Sequence, residues 1–220
     1  MTYVFGDIHG CLNGFEALLD HLSPGSDDTI ITLGDYIDRG PASNGVIDRL
    51  IQLQHEVNLI ALRGNHEMMM FDAKDGPPAS SFWLLNGGIE TLESYGYRTV
   101  QEIPDEHWAF LENLVPYYEE GEILYTHATI PHNKNPEDCD DDALFWARFG
   151  EPEFREDGRF LVCGHTPQQD HLPTLFNRHL CIDTGCVHGG QLTALEMETG
   201  HFTQATDDED LREGELDLGL

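Results

Sequence analysis

Gly6-Asp7-Ile8-His9-Gly10, Gly34-Asp35-Tyr36-Ile37-Asp38-Arg39-Gly40 and Arg63-Gly64-Asn65-His66-Glu67 are the three phrases around which the chain is arranged. Each follows a short apolar run: Thr2-Tyr3-Val4-Phe5, Thr29-Ile30-Ile31-Thr32-Leu33 and Asn58-Leu59-Ile60-Ala61-Leu62. Runs this short, rich in β-branched residues and closed by glycine, suit buried strands better than helices. Between them the apolar residues take a helical period. Leu12, Phe15, Leu18, Leu19 and Leu22 share one face, and Val46, Ile47, Leu50 and Ile51 share another. The pattern is β-α-β-α-β, and parallel strands joined in this way place their carboxyl ends along one sheet edge. Open α/β sheets bind ligands at that edge. Asp7, His9, Asp35, Asp38, Asn65 and His66 are therefore expected to emerge side by side.

Length and composition bound the rest. The 220 residues fit one large domain, read here as residues 1–205 followed by an acidic, flexible tail over 206–220. No apolar stretch of about 18 residues is present and the N-terminus starts directly on a strand, so a cytoplasmic protein is expected. Five cysteines without a C-x-x-C pair argue against a disulfide framework and against a zinc ribbon. Cys11, Cys163, Cys181 and Cys186 read as packing residues. Asp and Glu total 41 against 11 Lys and Arg, a formal charge of −30. Nucleic acid and anionic membranes are bound through basic residues, so neither is expected as a partner. The acid excess is spread along the chain as well as concentrated in its tail. That distribution fits adaptation to high salt as well as plain acidity.

Beyond the third phrase a helix continues to about residue 71, and helices are expected over 80–95 and 105–114. Residues 123–128 read as a strand and 132–142 as an acidic loop. The aspartates of 138–142 lack the glycine and distal glutamate of an EF-hand, so they read as solvated. A short helix over 144–149 carries Arg148 beside aromatic residues. Two strand-to-loop phrases follow, Phe160-Leu161-Val162-Cys163-Gly164-His165-Thr166 and Leu180-Cys181-Ile182-Asp183-Thr184-Gly185, and residues 191–202 form a hairpin turning at Gly200. These later strands are placed in a second sheet packed on the first.

Aspartate, histidine and asparagine at neighbouring strand ends make an oxygen and nitrogen donor set, suited to manganese, iron or zinc. Asp7 and His9, one residue apart, can reach one ion, and Asp35 on the next strand can bridge two. Paired ions about 3.5–4 Å apart support in-line attack at phosphorus. Arg39 and Arg63 flank the same edge and are fitted to phosphate oxygens. His21, His55, His107, His132, His171 and His201 fall in no ligand spacing and read as surface residues. His188 is a candidate for the cleft wall, and Trp83, Trp108 and Trp146 for core or cleft wall.

The three phrases together resemble the signature of the metallophosphoesterase superfamily, in its phosphoprotein phosphatase branch, with GDxHG, GDxxDRG and GNHE all matched. The resemblance extends over residues 3–198 through Thr126-His127-Ala128, Gly164-His165-Thr166-Pro167 and the phrase from Ile182 to Val187. It implies a calcineurin-like α/β fold, two mixed sheets packed as a sandwich and flanked by helices. It implies one divalent ion held by Asp7, His9 and Asp35 and a second by Asp35, Asn65, His127 and His165, manganese being the first choice. His66, oriented by Asp38, becomes the acid that protonates the leaving oxygen, and Arg39, Arg63 and Arg148 hold the phosphate while a bridging hydroxide attacks. The implied substrate is a phosphoprotein, at serine or threonine, or a small phosphoester. Symmetrical dinucleoside tetraphosphates are the alternative. Nothing in the sequence sets an oligomeric state.

Overall fold

The computed structural model describes residues 1–220. Its first sheet begins with β1 (Thr2–Phe5), α1 (Leu12–Leu22), β2 (Thr29–Thr32), α2 (Ser43–Leu53) and β3 (Asn58–Ala61). These are the expected strands and helices, in the expected parallel register, with Val4 beside Ile31 and Ile31 beside Ile60. After α3 (Asn65–Ala73) come α4 (Ala79–Trp83), α5 (Ile89–Tyr95), α6 (Asp105–Glu112), β4 (Tyr117–Glu120), β5 (Ile123–Thr126) and α7 (Asp141–Phe145). The chain then contributes β6 (Phe160–Cys163), β7 (Thr174–Phe176), β8 (His179–Cys181), β9 (Leu192–Glu196), β10 (His201–Ala205) and β11 (Leu211–Glu215).

Two mixed sheets result, in the orders β11-β10-β9-β1-β2-β3 and β4-β5-β6-β8-β7. Side chains alternate along each strand. Val4, Ile31, Val162, Leu180 and Leu195 point into the layer between the sheets. Tyr3, Phe5 and Ile30 point the other way, onto Phe15, Leu18, Val46 and Leu50 of the helices. Leu144 and Phe145 of α7 cover the outer face of the second sheet at Leu124 and Leu161. A strand buried on both faces has no polar side to show, which is why β1, β2 and β6 read as unbroken apolar runs. The edges at the ends of β1, β2, β3, β5 and β6 meet in one place, and the loops leaving them carry the site.

Five expectations need correction. The hairpin of β9 and β10, expected in the second sheet, belongs to the first, where β9 pairs antiparallel with β1 from Tyr3 beside Glu196 to Phe5 beside Ala194 and so extends the parallel strands on their open side. The tail read as flexible holds β11, which pairs antiparallel with β10 from His201 beside Glu215 to Ala205 beside Leu211. Without it the outer N–H and C=O groups of β10 would lack partners, and Arg212 further ties the strand to Gln204 and the carbonyl of His171. The helix expected over 80–95 is broken into α4 and α5 by a wide turn over Leu84–Gly88, in which Gly87 has φ 117°. The helix expected over 144–149 lies earlier, because the Asp140 carboxylate caps it by accepting from the Ala143 N–H at 3.0 Å. His107 is buried rather than on the surface, held between the Tyr95 hydroxyl and Asp48.

Candidate functional site

The loops that leave the strand ends are unusually constrained. His9, Asp35, Asp38, Arg39 and His165 all have positive φ, between 45° and 72°. For residues with a side chain this region costs free energy, and such strain gathers where side chains must be aimed. Glu67 fixes two of these loops together. Its carboxylate, fully buried, accepts from the backbone N–H groups of Asp35, Tyr36 and Gly64 at 2.9–3.0 Å. Gly64 has no alternative, since a Cβ there would run into the Asp35 carboxylate.

Asp35 stands at the centre. One carboxylate oxygen lies 3.5 Å from His127 Nε2, and the other lies 3.4 Å from His9 Nε2 and 3.9 Å from His66 Nε2. Burial works against its charge, but His127, His66 and His9 together hold its carboxyl well below the usual range. Two groups of potential ligands share it: Asp35 with His127 and His165, and Asp35 with His9 and His66.

The chemistry of the first group tests whether an ion fits. His127 donates through Nδ1 to the Leu33 carbonyl at 2.8 Å, so its Nε2 carries a lone pair. His165 donates through Nε2 to the Trp146 carbonyl at 3.1 Å, which leaves the lone pair on Nδ1. Both lone pairs face Asn65 Oδ1, each at 3.0 Å. Burial lowers both histidines, His165 to about 4, so neither supplies a second proton near neutrality. Acceptors converging in this way repel one another unless a cation stands among them. The residues fit a divalent ion held by oxygen and imidazole.

The second group is arranged differently. His9 donates through Nδ1 to the Ile37 carbonyl at 2.8 Å, and its Nε2 accepts from Arg39 Nη1 at 2.9 Å. Asp7 is buried close by, but its two oxygens are aimed at the His165 backbone N–H, at 3.1 and 3.0 Å. His66 has a different partner from the other three rings: its Nδ1 lies 2.7 Å from Asp38 Oδ2. Burial pushes His66 down, yet Asp35 and Asp38 outweigh it and hold the ring above its ordinary value. The site therefore combines three imidazoles suited to ligation with one suited to carry a proton.

The cleft above has a volume of about 310 Å³ and is lined by Asp35, Arg39, Asn65, His66, Arg148, His165 and His188, among others. Of the three arginines expected to hold the phosphate, Arg39 and Arg148 line the cleft and Arg63 does not. Its Nη2 donates to the Leu114 carbonyl at 3.3 Å and its guanidinium lies 5.1 Å from the Phe71 ring centre. Sequence reasoning placed Trp83 only as core or cleft wall and missed Thr91; both are buried, and their Nε1–H and hydroxyl donate to Asp38. It also missed the three-way grip of Glu67. The only signal for these was their nearness in sequence to the third phrase and to the paired glycines Gly87 and Gly88.

Comparison with known proteins agrees with this geometry. Residues 2–169 match the family described as calcineurin-like phosphoesterases. The serine/threonine-protein phosphatase 1 of Salmonella typhimurium is 31% identical over 213 residues, covering 90% of this chain and 92% of the relative. An asymmetrical bis(5'-nucleosyl)-tetraphosphatase of Anoxybacillus flavithermus is 30% identical over 227 residues, covering 89% and 91%. Among solved structures, a cold-active protein-tyrosine phosphatase of a Shewanella species superposes with a TM-score of 0.67 at 17% identity, over 96% of this chain and 79% of that one. Divalent metal ions belong to this family's chemistry, and the acceptor-lined cluster around Asp35 is suited to them. No helix is long and apolar enough to cross a membrane. With its match over most of the chain and its ligand cluster at the sheet edge, the protein is a phosphoester hydrolase of the calcineurin-like phosphoesterase family.

Proposed function

We propose that the chain removes single phosphoryl groups, those on serine or threonine of a protein being the best fit. Asp7, His9 and Asp35 would hold one divalent ion, and Asp35, Asn65, His127 and His165 would hold the second. A donor set of oxygen and imidazole without thiolate suits manganese, iron or zinc, and manganese is the first choice to test. When bound, the ions supply an activated water and neutralise charge on the phosphoryl oxygens. Arg39 and Arg148, both lining the cleft, bind those oxygens and orient the group for in-line attack. His66 gives its Nε2 proton to the leaving oxygen as the P–O bond breaks, while Asp38 holds Nδ1. The products are the free hydroxyl and inorganic phosphate.

The observation that carries the substrate choice is the supply of positive charge. The lining residues include two guanidinium groups, Arg39 and Arg148, and no lysine, in a chain of net charge −30. Two arginines match one dianionic phosphoryl group. A tetraphosphate chain would bring further negative charges for which the lining supplies no third guanidinium and no lysine. Sequence identity does not separate the two substrates, at 31% to the serine/threonine phosphatase and 30% to the tetraphosphatase.

The test is a chelated sample restored with manganese and given a phosphothreonine peptide or diadenosine tetraphosphate. Faster manganese-dependent release from the peptide is expected. A kcat/KM favouring the dinucleotide would reassign the substrate, as the tetraphosphatase relatives suggest. No turnover of either by the metal-loaded protein would remove both.

A further inference from the structure

Asp38 is fully buried and has more partners than orienting one imidazole requires. Besides His66 Nδ1, its carboxylate accepts from Trp83 Nε1, 3.0 Å from each oxygen, and from the Thr91 hydroxyl at 2.7 Å. The Thr91 hydroxyl in turn accepts from the Asp38 backbone N–H at 2.8 Å. Backbone and carboxylate of one residue are thus tied through a single hydroxyl, and the indole closes the far side. Every rotation that would carry Oδ2 away from His66 breaks at least one of these bonds. Trp83 and Thr91 are 1% and 0% exposed, so none of these bonds competes with water.

The backbone is shaped to allow this. In an unbroken helix, residues 83 and 91 would be separated by about 12 Å along the axis. They could not then bond one carboxylate. The wide turn over Leu84–Gly88 brings them together, and it is built against the second phrase. The Gly87 carbonyl accepts from the Arg39 N–H at 3.2 Å, a Cβ at Gly87 would lie 2.6 Å from that nitrogen, and one at Gly88 would lie 2.5 Å from the Trp83 ring. The break in the helix and the aim of Asp38 are one arrangement.

We propose that Trp83 and Thr91 are positioning residues for the proton-transfer step: they hold the Asp38 carboxylate so that His66 keeps its Nε2–H directed at the leaving oxygen. The inference rests on the role of His66 as acid proposed above. A misaimed acid matters only where the leaving oxygen needs its proton. An alkoxide from phosphothreonine needs it, and 4-nitrophenolate leaves without it.

The experiment compares kcat on a phosphothreonine peptide and on 4-nitrophenyl phosphate for Trp83→Phe, Thr91→Val, Thr91→Ser and His66→Asn, each loaded with manganese. Trp83→Phe and Thr91→Val are expected to lose roughly tenfold in kcat on the peptide, with little change on the nitrophenyl ester or in KM. Thr91→Ser, which keeps the hydroxyl, is expected to restore the peptide rate. Should Trp83→Phe fail to fold, the valine and serine pair decides the matter alone. Equal losses on both substrates, with His66→Asn still selective for the peptide, would overturn the inference and leave the acid in place. Equal losses in His66→Asn as well would remove the acid role and this inference with it.

Discussion

The two halves of the Asp35 cluster are built on opposite plans. On the His127 and His165 side each ring spends its second nitrogen on a main-chain carbonyl, of Leu33 or Trp146, and nothing remains but acceptors facing Asn65. Those carbonyls belong to the first sheet's edge and to the chain after α7, so both layers of the fold hold that half rigid. On the His9 side the lone pair that would face an ion is shared with Arg39, which also lines the cleft. An ion there must compete with a guanidinium that the phosphate wants too. One half is committed to ligation. The other couples ligation to substrate binding, and the two ions are expected to differ in affinity.

Asp35→Ala breaks the comparison most completely, because the residue belongs to both halves. Both ions and all phosphatase activity above background should be lost together, read as metal per chain beside turnover. Retention of one tightly held ion would show that the halves are independent. His66→Asn comes next. It should keep both ions while kcat falls by about 10²–10⁴-fold, the range usual for a lost general acid. Loss of metal in that variant would place His66 among the ligands, as its 3.9 Å approach to Asp35 permits geometrically.

Arginine variants sharpen the contrast further. Arg39→Ala is expected to raise KM about tenfold, the cost of a lost charge-assisted pair. It should also tighten the weaker ion, since His9 Nε2 is then released. Arg63→Ala is expected to change KM less than about twofold and to act instead on stability, by roughly 1 kcal/mol, through the lost contacts to Leu114 and Phe71. Equal KM effects would return Arg63 to the phosphate site.

This last pair shows where sequence stops informing. The three phrases were legible because each is a short, local turn at the end of a strand, and burial on both faces made those strands plain. Their position predicts that Arg39 and Arg63 reach the same edge, but direction is set by partners elsewhere: Arg63 is drawn to a carbonyl after α6. The link from Trp83 and Thr91 to Asp38 was illegible for the same reason, since the turn at Gly87 depends on the Arg39 backbone. β11 escaped notice because an edge strand pairs through its backbone and leaves polar side chains in water. Composition measures only the side chains.

Salt is expected to act on stability about as much as Arg63→Ala and on the site hardly at all, and so it separates the cluster from the surface around it. A charge of −30 on one domain repels itself, and screening shortens the reach of that repulsion from about 10 Å at 0.1 M salt to about 3 Å at 1 M. The carboxylates that carry it are mostly exposed, whereas Asp7, Asp35, Asp38 and Asp183 are buried. Molar salt should therefore raise the melting temperature of the metal-loaded protein by at least about 2–4 °C, the shift that accompanies about 1 kcal/mol in a chain of this size. The difference in affinity between the two ions should hardly move, because it is set within a few ångströms of Asp35, inside the screening length. A flat melting temperature would make the acidic surface incidental to stability. An affinity difference that collapsed in salt would mean that the surface field, and not the competition at His9, distinguishes the two halves.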